Sequence, residues 1–297
     1  MPMPSDAPDW RQMSRDELDR GLNNSLAVAN SGDIVAVWEQ RSAGQRRQHP
    51  AHLDLSYGPR ERNRIDFLKA ADRAPTLLFI HGGYWQMRAK EFFTLMAEGP
   101  MALGINVALT GYTLAPDATL DEIVAEIHAA IDCLARELPA LGGDGKGIVV
   151  SGWSAGGHLT AMALSHPYVK AGLGISGIYE LEPIRHSYLN EKLGLDEAAS
   201  RRNSPVKQAT GPTKPISLVV GSAELPLLRQ QTADFACYRA RCGLPVTYEE
   251  IPGADHFTIM NEMIAPQGRI TALVEELFAR SAYRTVSPGS VLRTAPE

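Results

Sequence analysis

Cysteine is scarce in this chain. Cys133, Cys237 and Cys242 are the three among 297 residues, an odd number without metal-like spacing, which leaves no disulfide framework and reads as reduced thiols. A basic excess is missing too. The formal net charge is −5, so nothing favours nucleic acid or an anionic membrane as a partner. No run of about 18 apolar residues occurs, and the opening residues Met1 to Asp6 carry neither a basic flank nor an apolar core. The expectation is a chain neither exported nor membrane-spanning, working in the cytoplasm on a small molecule. Its oligomeric state stays open, a homodimer included.

What is present is apolar patterning: 44% of residues are hydrophobic and 21% charged, enough for a full core in one catalytic domain. Continuous apolar runs at 76–80, 105–109, 147–150, 171–175, 216–220 and 246–251 alternate with helical periods at 89–97, 120–138, 154–164, 225–242 and 270–278. Strands that are apolar on both faces belong to a sheet covered on both sides, so the fold class is α/β, with a mostly parallel central sheet flanked by helices. Two alternating stretches, 53–57 and 64–68, flank Gly58-Pro59-Arg60 and predict a hairpin at a sheet edge. Residues 1–50 are polar and read as an N-terminal arm with one short helix, opened by the Ser14/Glu17 capping pair. The catalytic domain is expected over 51–280, followed by a loose tail at 281–297. One segment breaks the alternation. Residues 178–210 are charged, aromatic and irregular, and an insertion at the carboxyl end of a strand lies where such sheets bind ligands, so it reads as a lid or pocket wall.

The chemistry is organised around Gly152-Trp153-Ser154-Ala155-Gly156, a Gly-x-Ser-x-Gly pattern between a strand and a helix. A serine on so tight a turn crowds its neighbours, and glycines relieve the crowding. Ser154 is therefore the candidate nucleophile. It needs a base and a carboxylate to orient that base, each at the end of its own strand in the order serine, acid, histidine. His256, in the loop after the 246–251 strand, fits the base, and Glu224 is the carboxylate at the end of the 216–220 strand. The strand ending at Ile80 runs into His81-Gly82-Gly83-Tyr84-Trp85, where Gly82 and Gly83, with the N–H of Ala155, would form an oxyanion hole. His81 and His158 read as structural. Tyr84, Trp85, Trp153, Tyr179 and Tyr188 are candidate walls for an aryl substrate, or else core aromatics.

Together, His81 to Trp85, Gly152 to His158, Ser176 to Ile184 and the His256 loop resemble the α/β-hydrolase kynurenine formamidases (arylformamidases) and their bacterial esterase-like relatives. The resemblance spans roughly residues 20–280. It implies an α/β-hydrolase fold in which Ser154 is the nucleophile, His256 the base, and Gly83 with Ala155 the oxyanion donors. The family's acid is typically aspartate, and Glu224 departs from that. The implied reaction is hydrolysis of an N-formyl aryl amide through a formyl-enzyme, with no metal or organic cofactor. A carboxylesterase, or a hydrolase of another small amide, would use the same machinery. A catalytically silent binding protein on the same fold is the reading from another class.

Overall fold

The computed structural model describes residues 8–208 and 212–283, with side chains of 281–283 not described. Among the described residues, eight strands make one sheet: β1 (Leu55–Ser56), β2 (Arg64–Leu68), β3 (Ala74–Ile80), β4 (Asn106–Thr110), β5 (Gly143–Trp153), β6 (Val169–Ile175), β7 (Ile216–Gly221) and β8 (Val246–Ile251). Their order is β1-β2-β4-β3-β5-β6-β7-β8. The expected hairpin is the antiparallel edge, with Leu55 opposite Ile65, and β2 joins β4 antiparallel. From β4 to β8 every pairing is parallel. The apolar runs of β3, β4, β6 and β7 are continuous because both faces of these strands are buried, whereas β8, expected to be buried on both faces, is the sheet edge and is half-buried at every position but Ile251. On β3, Leu78 and Ile80 enter one core while Leu77 and Phe79 enter the other.

Helices cover both faces. α1 (Arg15–Gly21), α2 (Asn24–Ala27) and α3 (Ser31–Gln48) precede the sheet, and α4 (Glu98–Ala102) follows a 3₁₀ stretch at Lys90–Ala97. α5 (Leu120–Leu141) and α6 (Ala155–Ala163) pack on the core containing Ile80 and Val150. α7 (Glu182–Arg185), α8 (Asn190–Leu193) and α9 (Glu197–Arg202) lie in the 178–210 segment, of which 209 and 210 fall outside the described residues. α10 (Pro226–Arg241) follows β7; α11 (Asn261–Ile264) and α12 (Arg269–Tyr283) close the second core. The start of the expected tail, 281–283, continues α12, and 284–297 lie outside the described residues.

The largest difference from the sequence reading is α3. Residues expected as a polar arm form an 18-residue helix that buries only Ser31, Trp38 and Ser42. The helix formers Glu39 to Arg41 and Gln45 to Gln48 sustain its second half, and two anchors fix it. Ser42 Oγ donates to Phe92 O at 2.9 Å and accepts from Leu95 N at 3.0 Å. Trp38 meets Trp153 edge-on, with ring centroids 5.5 Å apart. The stretch expected as a helix at 89–97 is wound as 3₁₀ instead, with Gly99 and Pro100 in the short α4 that follows.

Candidate active site

β5 ends at Trp153, α6 begins at Ala155, and Ser154 between them sits at φ 58°, ψ −119°. That backbone costs about 1–3 kcal/mol for a residue other than glycine. The surroundings hold it. Ser154 N donates to Ile175 O at 2.8 Å, and the chain turns so tightly that a Cβ on Gly152 would lie 2.2 Å from Gly156 O. A Cβ on Gly156 would lie 2.0 Å from Ile80 O, which packs the turn directly against the end of β3.

Glu224 follows β7, and His256 follows β8. His256 Nδ1 and Glu224 Oε2 are 2.7 Å apart, and both side chains are buried. The other carboxylate oxygen, Oε1, accepts from Gly221 N at 2.7 Å and from Ser176 Oγ at 2.6 Å. A carboxylate only accepts, so the shared proton sits on Nδ1 and leaves the Nε2 lone pair to act as a base. Behind the ring, Trp153 Nε1 donates to His256 O at 2.8 Å, and the two ring centroids are 4.8 Å apart. Trp153 is thereby the link that carries Trp38 of α3 to the imidazole. The sequence reading assigned no role to Ser176; the available signal was its place at the end of β6, beside the strand that bears the acid.

The loop after β3 lies alongside. A Cβ on Gly82 would be 3.0 Å from Ser154 Cβ, so a larger residue here would push on the serine. Gly83 has φ +119°, and Tyr84, Trp85 and Arg88 also take positive φ, a run of left-handed backbone pinned by Gln86 N and Met87 N donating to Gly83 O. His81 stacks on Tyr112 at 4.3 Å, and burial pushes its pKa down to about 3. His158 bridges Trp85 Nε1 and Asn203 O, and burial pushes it down to about 4. Both imidazoles stay neutral within the protein.

These two histidines carry a pH prediction. Their folded pKa values lie below the ordinary 6.5, so below pH 6.5 the unfolded chain takes up protons that the native state refuses. Their contribution to stability is present above that pH and is lost as pH falls toward 4 and then 3. Between pH 7.5 and 5.5 the pair is expected to lower the unfolding free energy by about 2–3 kcal/mol. Urea unfolding at the two pH values checks this, and equal midpoints would contradict it.

Ser154 and His256 line one cavity of about 20 Å³, together with Gly83, Tyr84, Trp153 and Phe257. Asn24, Ser25, Met87 and Arg88 complete the wall, and the sequence reading named none of these four. No described residue of 178–210 lines it. That insertion reaches the site's edge through Gln86 Nε2, which donates to Leu189 O at 2.7 Å. Of the aromatic candidates, Tyr84 and Trp153 are at the cavity. Trp85 is fully buried against His158, and Tyr179 is buried in a stack on Phe235 at 4.6 Å. Tyr188 is half-buried in the insertion, its backbone N–H on Asp19 Oδ1. A roomier cavity of about 930 Å³ lies between residues 10–18 and the insertion and contains none of Ser154, Glu224 or His256.

Among the described residues, oxygens of Asp54, Asp66 and Glu91 converge in the spacing a cation could use. Lys90 Nζ already fills that place, 2.6 to 2.7 Å from each. The same residues show no helix long and apolar enough to cross a membrane.

A family model described as BD-FAE matches residues 67–171. The kynurenine formamidases of Danio rerio and Salmo salar are 27% and 29% identical, each aligned over 92% of this chain and 99% of theirs. A crystal structure from Silicibacter, assigned as a thioesterase, superposes with a TM-score of 0.80 at 26% identity, covering 87% of this chain and 99% of that one.

Proposed function

The chain belongs to the kynurenine formamidase-like family of α/β-hydrolases, and from that premise we propose that it is a serine hydrolase that cleaves a small aryl amide or formamide through an acyl-enzyme. The observation that carries the reading is that His256, paired through Nδ1 with Glu224, lines the same cavity as Ser154 and Gly83. Ser154 Oγ attacks the carbonyl carbon while His256 Nε2 takes its proton. The oxyanion that forms is met by backbone N–H groups of Gly82 or Gly83 and of Ala155. Ala155 opens α6, where the first N–H groups lack intrahelical partners and the helix dipole favours negative charge. His256 then returns the proton to the leaving nitrogen, and water repeats the sequence on the acyl-enzyme.

Each oxyanion donor contributes about 3 kcal/mol to the transition state, so the backbone of the loop matters as much as the side chains. Tyr84, Trp153 and Phe257 supply flat apolar surface for an aryl group. A space of about 20 Å³ holds little more than a water, so a bound substrate displaces part of the wall; Met87, 46% exposed, is the exposed large apolar residue of that lining. The 178–210 insertion, touching Gln86, lies outside that wall. No metal or organic cofactor is needed for these steps. The three cysteines, with no disulfide among them, suit a cytoplasmic enzyme.

A fluorophosphonate should add covalently to the wild-type enzyme, with the adduct mapped by mass spectrometry to the peptide carrying Ser154. An adduct elsewhere, or none, rejects the nucleophile. N-formylkynurenine, acetanilide and short p-nitrophenyl esters then separate the substrate classes. Turnover of the esters alone would replace the amide reading by a carboxylesterase, the activity nearer to the Silicibacter structure's assignment.

A further inference from the structure

One polar group at the cavity has no part in the steps above. Asn24 is 4% exposed and lines the wall with Ser154 and His256. Its Nδ2 donates to Tyr84 Oη at 2.7 Å. The hydroxyl proton of Tyr84 is committed to Leu22 O, an atom that can only accept, so Tyr84 Oη must itself accept from Asn24. This settles which way round the amide sits. Asn24 Oδ1 is then a buried acceptor with no donor among the described residues. A local structural role is already taken by its neighbour, since the oxygen that caps α2 belongs to Asn23 and accepts from Leu26 N at 3.1 Å. A buried carbonyl oxygen left without a donor is disfavoured, and a ligand that brings an N–H would relieve it.

We propose that Asn24 Oδ1 accepts a hydrogen bond from the N–H of a secondary amide substrate, making Asn24 the residue by which this site selects amides over esters. The proposal rests on reading Ser154, His256 and Glu224 as the catalytic set. When the Ser154 Oγ–carbon bond forms, the Oγ proton passes to His256 Nε2 and the amide nitrogen becomes pyramidal, with one N–H and one lone pair. Asn24 holds the N–H, so the lone pair faces His256. The nitrogen takes the proton from Nε2 as the C–N bond breaks, its electron pair stays on nitrogen, and the amine leaves. An ester presents an oxygen lone pair to Oδ1 instead, and an N-methylated amide presents a methyl group; neither can donate.

The test compares kcat/KM for formanilide, N-methylformanilide and phenyl formate, the last corrected for spontaneous hydrolysis, in the full-length wild type, Asn24→Leu and Tyr84→Phe. Asn24→Leu keeps the side-chain shape and is expected to lower the formanilide-to-phenyl formate ratio at least tenfold, and to bring the formanilide-to-N-methylformanilide ratio close to one. Tyr84→Phe frees the Asn24 amide to rotate and is expected to lower the first ratio about threefold, which keeps the comparison open if Asn24→Leu does not fold. Ratios within twofold of wild type overturn the proposal, and so does a wild type that prefers the N-methylated amide. Fluorophosphonate labelling at Ser154 separates the two levels. If the wild type labels and the ratios do not move, the Asn24 proposal falls alone; if the wild type does not label, the serine reading falls and takes this proposal with it.

Discussion

Replacing Ser154 with alanine is expected to reduce kcat about a millionfold, leaving a residual rate that owes its existence to binding and to the oxyanion donors. The alteration is confined to one atom. Alanine keeps the Cβ and therefore adds no strain at φ 58°, and the hydrogen bond from residue 154 N to Ile175 O involves the backbone alone. The melting temperature should stay within a few degrees of wild type. Because nucleophile and base act as a unit, Ser154→Ala combined with His256→Ala should be no slower than Ser154→Ala by itself. Single-turnover assays under matched conditions measure both quantities. A Ser154→Ala enzyme retaining a tenth of wild-type kcat would exclude Ser154 from the chemistry, whatever the fold.

The turn that carries this serine was legible because it is local. A β-branched strand, two glycines at fixed spacing and an apolar helix start all lie within about fifteen residues, and each is forced by the crowding of its neighbours. The same holds for β7, whose apolar run announces a buried parallel strand; the ends of β7 and of the half-buried edge strand β8 present Glu224 and His256. What the sequence does not announce depends on distant partners. α3 has too few apolar positions to show a helical stripe, and its place is set by Trp38 and Ser42 meeting residues 50 or more positions away. Asn24 and Ser25 belong to a polar segment with nothing catalytic in its pattern; they matter because the chain passes over the carboxyl ends of the strands before it enters the sheet. Trp85 and Tyr179 show the opposite failure. Their position next to the motifs suggested a substrate wall, but a neighbouring residue on a strained loop points elsewhere, one toward His158 and the other toward Phe235.

Glu224→Gln is expected to lower kcat by about 10⁴ without unfolding the protein, for a reason specific to this carboxylate. Its Oε1 is held by two donors, Gly221 N and Ser176 Oγ. Glutamine can satisfy the Gly221 N–H only with its carbonyl oxygen, so its NH₂ must occupy the place of Oε2, facing His256 Nδ1. An NH₂ there donates instead of accepting. It therefore favours the tautomer with the proton on Nε2, and the imidazole can no longer take the proton from Ser154. The backbone of β7 and the Ser176 contact keep an acceptor, so stability should change little, whereas Glu224→Ala leaves Gly221 N and Ser176 Oγ without it and should be destabilised by about 1–3 kcal/mol as well as slowed. A tautomer-sensitive nitrogen chemical shift of His256, read by NMR in the Gln variant, tests the cause apart from the rate. A proton still on Nδ1, together with a large loss of kcat, would refute this account of how Glu224 acts.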